Sequence, residues 1–229
     1  MNKILQWSIL GLWCLTLGPG SEIGQGAEPA GRHPVTGRRY AGVMGVGGAP
    51  WLERAEREDE EKPRLAVRLL NLRPGMVVAD VGAGSGYYSE LMSKAVGATG
   101  KVYACDIQPG MIQLLKQRVA RAKLGNVEPI LSAEDDPRLP EEAVDLIMLV
   151  DVYHEFDKPQ EMLRRLRKAL KPGGQLVLLE FRKEDPKVPI REEHKMSVAE
   201  VRAELEPEGF VFERVLPDLP WQHILIFHK

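Results

Sequence analysis

Val77-Val78-Ala79-Asp80-Val81-Gly82-Ala83-Gly84-Ser85-Gly86-Tyr87-Tyr88-Ser89 is the stretch on which the fold turns. It opens as an apolar, β-branched run, Met76 to Val81, suited to a strand buried on both faces. Glycines at alternate positions follow, and then Tyr88, Leu91, Met92 and Ala95 recur at helical spacing. Strand, glycine turn and helix in that order build a nucleotide-type site. Glycine lets the backbone approach a ligand, and the N–H groups that open the helix face it. A dinucleotide fingerprint, G-x-G-x-x-G, does not fit, because Tyr87 fills the slot of the third glycine. A P-loop is excluded by the missing Gly-Lys-Ser/Thr ending.

Outward from this stretch, strands and helices alternate. Pro63 to Leu72 carries an apolar stripe (Leu65, Ala66, Leu69, Leu70). Lys101 to Asp106 reads as a second strand ending in an acid. Asp106 lies about 20 residues beyond the glycine loop, where an acid at a strand tip accepts hydrogen bonds from ribose hydroxyls. Pro109 opens a helix with Met111, Ile112, Leu115 and Val119 inward. Val127–Leu131 and Val144–Val150 are the third and fourth strands. The fourth runs into Asp151-Val152-Tyr153-His154-Glu155-Phe156, at the switch point of a doubly wound sheet. A helix from Asp157–Pro159 to Leu170 carries arginines on its outer side. Lys171-Pro172-Gly173-Gly174 is a turn, and Gln175–Phe181 the fifth strand. Ser197 and Glu200 form a capping box for a helix over 198–208. Phe210–Val215 and Trp221–Phe227 complete the chain as an antiparallel pair.

The D-x-G-x-G-x-G pattern, Asp106 at its spacing, and Leu170-Lys171-Pro172-Gly173-Gly174 before an apolar strand resemble the class I S-adenosylmethionine-dependent methyltransferases. The likeness covers about residues 63–229 and is closer to the small-molecule branch. The Asp/Asn-Pro-Pro-aromatic motif of nucleic-acid and amide methyltransferases is absent, as both prolines are missing after Asp151. The resemblance implies an α/β fold, a doubly wound seven-stranded, mostly parallel sheet with an antiparallel C-terminal strand. It implies S-adenosyl-L-methionine as cofactor, held by Asp80, Gly82, Ala83, Gly84, Gly86, Asp106, Ile107, Ala133, Glu134 and Asp151. Ser132 stands where the family commonly has an acid. His154 and Glu180, at the ends of the fourth and fifth strands, are the catalytic candidates. His154 either takes a proton from the acceptor or orients it, and His194 follows in a polar stretch that could close over the substrate. Metal-ligand spacing is absent, so no resident metal is expected from His154, Glu180 and His194.

The chain has 229 residues and a formal net charge of −2, which argues against a general polyanion binder; no nucleic-acid partner is expected. Two cysteines, Cys14 and Cys105, give no disulfide framework. Lys3 followed by the apolar run Ile4–Leu17 and Gly18-Pro19-Gly20 reads as a signal peptide over 1–27, exporting the domain and leaving no stable membrane span. An uncleaved anchor is the alternative. Residues 28–62 read as a glycine-rich flexible linker followed by a charged cap helix, with Glu53–Arg57 and Arg54–Glu58 as i,i+4 pairs. Two readings of that helix stand: a solvated face stapled by Trp51 and Leu52, or, as in many members of the family it resembles, a lid over the cofactor. The function expected is methyl transfer to a small-molecule acceptor. A non-catalytic exported binding module of the same fold is the alternative.

Overall fold

The computed structural model describes residues 31–229, and the leader expected over 1–27 lies outside them. Val77–Val81 is β1, an interior strand of the sheet between β2 and β4. The other strands are β2 (Lys101–Asp106), β3 (Val127–Leu131), β4 (Val144–Val150), β5 (Leu170–Arg182), β6 (Lys195–Met196), β7 (Val211–Leu216) and β8 (Gln222–His228). Their order is β3-β2-β1-β4-β5-β8-β7, with β6 off this path beside β5. β1 to β5 run parallel, and β8 is antiparallel to both β5 and β7. The expected architecture is present, with the two-residue β6 as an unforeseen addition. β5 also begins earlier than its sequence suggests. Leu170 pairs with Val144, the register then shifts, and Leu146 pairs with Gln175, so the Lys-Pro-Gly-Gly turn is a bulge inside the strand.

The helices are α1 (Ala49–Leu52), α2 (Arg57–Glu60), α3 (Pro63–Leu69), α4 (Tyr87–Val96), α5 (Pro109–Ala122), α6 (Pro159–Ala169) and α7 (Val198–Leu205). Side chains alternate across a strand, and this splits the core in two. Val78, Leu146, Met148, Val177 and Leu179 pack with Met92 and Leu115 of α4 and α5. Ala79, Ile147, Leu149, Leu176 and Leu178 pack with Leu163, Leu166 and Leu205 of α6 and α7. Both faces are covered, which is why β1 and β4 read as continuous apolar runs. The capping box is formed: the Glu200 N–H donates to Ser197 Oγ, and Glu200 accepts from the Ser197 N–H.

The segment before α3 departs from expectation. Residues 31–48 are not a flexible linker; they are tied to the domain. Arg38 makes a two-pronged pair with Glu204 of α7, Nε to Oε1 at 2.8 Å and Nη2 to Oε2 at 2.9 Å. The Ala41 N–H and Arg38 Nη1 both donate to the His154 carbonyl, at 3.0 Å each. Tyr40 and Ala41 are buried. The charged run is two short helices rather than one solvated helix. Arg57 and Glu61 are buried and paired at 2.7 Å, and Arg54 pairs with Glu60 and Glu61. Trp51 is exposed and stacks with Arg54 instead of stapling the helix to the core. Among the described residues no helix is long and apolar enough to cross a membrane.

Candidate active site

The glycine loop leaves β1 with positive φ at Gly82 (78°), Gly84 (54°) and Gly86 (84°), which L side chains adopt only with strain. A Cβ at Gly82 would overlap the Val152 side chain, and one at Gly84 would lie 2.8 Å from Leu52. The N–H groups of Gly82 and Ala83 donate to the Cys105 carbonyl at 2.8 and 2.9 Å. That of Gly84 donates to Asp106 Oδ2 at 2.9 Å, while Asp106 Oδ1 accepts from the Gln108 N–H at 2.8 Å. Asp106 therefore ties the tip of β2 to the loop after β1. Burial raises its carboxyl above the ordinary value, and the two N–H donors partly offset this. Ile107 beside it is exposed. The Ser132 N–H donates to the Asp106 carbonyl, bringing the end of β3 to the same rim. Ala133 is half-buried there, and the exposed Glu134 pairs with Lys158 at 3.4 Å.

Asp80 is buried at the end of β1 and accepts from Ser89 Oγ at 2.6 Å. Burial pushes its carboxyl up from 3.8 to about 6, against the pull of Ser89 and Arg57. The folded state thus keeps a proton that the unfolded chain has lost between about pH 4 and 6. Its contribution to stability falls as pH rises through that window, by about 3 kcal/mol in all. Thermal unfolding of wild type and Asp80→Asn across pH 4–6.5 is expected to show the steeper decline in wild type. Parallel curves would contradict it.

Asp151 follows β4 in a left-handed conformation (φ 51°) that turns the chain into a short 3-10 turn over Tyr153–Glu155. Gln222 Nε2 donates to its Oδ2 at 2.5 Å, but Oδ1 is buried with no hydrogen-bond partner among the described residues. Burial, then Glu61 and Glu180, hold the Asp151 carboxyl well above its usual range. Arg57, Glu61 and Gln222 are site residues that sequence reasoning missed. The first two lay hidden in a charged run that reads as a solvated face. Leu52 sits on Gly84, and Glu53 pairs with both Ser85 and Arg118. The segment before α3 thus covers the loop.

At the ends of β4 and β5 the side chains of His154 and Glu180 meet. Glu180 is fully buried; its Oε2 lies 2.6 Å from His154 Nδ1, and its Oε1 accepts from the Tyr153 N–H at 3.1 Å. His154 Nε2 lies 3.2 Å from His194 Nδ1, the rings nearly perpendicular. Burial lowers the His154 imidazole, but Glu180 more than offsets it and leaves it above the ordinary value. Burial and the neighbouring His154 push His194 down to about 4. Both nitrogens of His154 are thus engaged and the residue is 1% exposed. Of the two rings it is His194 that is half-buried and reaches the surface. Glu155, pushed up to about 7 mainly by burial, joins this pair.

This end of the sheet fits a nucleoside carrying a charged amino-acid tail. Asp106 faces the glycine loop, and Asp151 Oδ1 is a buried acceptor with no partner among the described residues. The sequence model of the family described as "Methyltransferase domain" matches residues 79–178. Over 121 residues the chain is 32% identical to the ubiquinone/menaquinone biosynthesis C-methyltransferase UbiE of Hydrogenovibrio crunogenus, covering 52% of this chain and 48% of that one. The chain thus spans about half the length of the curated relatives it matches. The [4+2]-cyclase SpnF shares the fold alone, at 15% identity and a TM-score of 0.61 over 72% of this chain and 81% of its own. A SAM-dependent methyltransferase from Aquifex aeolicus superposes with a TM-score of 0.77, at 30% identity over 81% of this chain and 99% of its own. On that match, and on the loop and acid that the family's pattern predicts, this chain belongs to the SAM-dependent methyltransferases.

Proposed function

We propose that the chain transfers a methyl group from S-adenosylmethionine to a small-molecule acceptor bound at the ends of β4 and β5. The observation that carries this reading is the hydrogen bond from the Gly84 N–H to Asp106. It sets an acid with further lone pairs at the tip of β2 beside the glycine loop, the place where a strand-end acid accepts from ribose hydroxyls. Bound there, the cofactor supplies a methyl group already activated on a sulfonium. The protein's part is then alignment and exclusion of water. Leu52 and the buried Arg57–Glu61 pair close the loop from above. Asp80 and Asp151 are buried acids held above their ordinary values, and the ammonium of the amino-acid tail is the charge that would favour their ionised forms. Glu180 fixes the His154 ring, and His154 in turn fixes His194 toward the acceptor.

The curated relatives are named for quinone biosynthesis, so phenols and quinols are the first acceptors to test. The experiment is transfer of labelled methyl from S-adenosylmethionine to a phenol and quinol panel and to a small-molecule extract. Labelled product that disappears in His194→Ala, with S-adenosylhomocysteine binding unchanged, supports the reading. Tight binding of S-adenosylhomocysteine with no labelled product favours a binding module. The fold itself does not decide between these, since SpnF is a cyclase on the same fold.

A further inference from the structure

Three side chains converge where the acceptor is placed. His154, Glu155 and His194 each offer one ligand atom, and these atoms all lie within 4.8 Å of one another. They come from two separate 3-10 turns, Tyr153–Glu155 and Glu192–His194, held against each other by the fold. Sequence spacing does not show the group, because one ligand comes from far along the chain.

We propose that His154, His194 and Glu155 bind one divalent first-row transition ion of the zinc class, with a coordination position left open toward the acceptor. The imidazole nitrogens are already at the right separation. Two nitrogens on one tetrahedral zinc, each bonded at about 2.0–2.1 Å, lie about 3.3 Å apart, and His154 Nε2 and His194 Nδ1 are 3.2 Å apart. The support behind them is also in place. A metal-bound histidine commonly presents its other nitrogen to a carboxylate, which fixes the ring and its tautomer. Here Glu180 Oε2 holds His154 Nδ1 at 2.6 Å, and the other oxygen of that carboxyl, Oε1, accepts from the Tyr153 N–H. Two imidazoles and a carboxylate suit zinc, cobalt, nickel or iron better than magnesium or calcium. Three protein ligands leave the fourth position to water or substrate, the pattern of a catalytic rather than a structural site. The half-buried His194 gives the ion its path from solvent.

The ion site rests on this side-chain geometry. Its role, presenting an acceptor oxygen, rests also on the methyl-transfer reading. The test is calorimetric titration of the chelator-treated full chain with zinc alone, repeated with cobalt and followed by visible absorption. One ion per chain, a tetrahedral cobalt spectrum, and weakening of about tenfold or more in both His194→Ala and Glu155→Gln are expected. Glu180→Gln is expected to weaken binding by about 10–100-fold without removing a ligand. No saturable binding, or binding undiminished in His194→Ala and Glu155→Gln, overturns the proposal. His194 lies on a surface turn, so its alanine variant is expected to keep the wild-type melting temperature in the absence of metal. S-adenosylhomocysteine binding is measured in parallel: its failure with zinc bound sinks the methyl-transfer reading alone, and the converse result sinks only the ion.

Discussion

Asp106→Ala is expected to weaken S-adenosylhomocysteine binding by about 10²–10⁴-fold. The carboxylate carries two structural bonds, from the Gly84 and Gln108 N–H groups, at 2.9 and 2.8 Å. Hydrogen bonds to a charged group are worth roughly 1.5–3 kcal/mol each. Alanine takes away the acid proposed for the two ribose hydroxyls, whose bonds set the expected range, and it removes both structural bonds as well. The Gly84 N–H then loses the partner that fixes the loop where a ligand must approach. Asp106→Asn keeps the shape but sets an NH₂ donor against one of the two N–H donors, so it rescues binding only in part. A calorimetric affinity for Asp106→Ala within threefold of wild type would contradict the assignment.

Glu180→Ala is expected to destabilise the domain by about 3–5 kcal/mol, the usual cost of removing one partner of a buried charged pair. Glu180 is 0% exposed. Its loss leaves the Tyr153 N–H and His154 Nδ1 buried without partners. Each kcal/mol shifts the melting temperature by roughly 2–4 °C in a domain of this size, so a fall of about 10 °C is expected. Glu180→Gln keeps an acceptor for Tyr153 and loses less. Its turnover is expected to fall while the KM for S-adenosylmethionine stays near wild type, a split that a merely structural role would not give. A denaturation midpoint for Glu180→Ala equal to wild type would remove the pair from the account.

The parts of this site that were legible in the sequence are local ones. β1, its glycines and Asp106 follow from a periodicity that changes from strand to turn to helix and from one spacing. The doubly wound core follows from the apolar runs of β4 and β5. What escaped depends on contacts between distant residues. Arg38 reads as one basic residue in a glycine-rich segment, and only its pairing with Glu204, 166 positions away, makes that segment part of the domain. Arg57 and Glu61 sit in a run whose composition suits water, yet both are buried over the loop. His154 was found by topology, but nothing local shows that Glu180 and His194 occupy both of its nitrogens. Glu155 follows His154 directly, and neighbours on a strand point apart. The chain is a 3-10 turn there, so His154 and Glu155 reach the same cluster.

The central claim, a methyltransferase cofactor site built on the loop after β1, is tested most directly by thermal unfolding of the full chain with S-adenosylhomocysteine and, separately, with NADH. At about 100 times its Kd a ligand adds roughly 2.7 kcal/mol. The account predicts a clear upward shift with S-adenosylhomocysteine, none with NADH, and loss of the shift in Asp106→Ala. A shift with NADH alone, or with neither ligand, would contradict it.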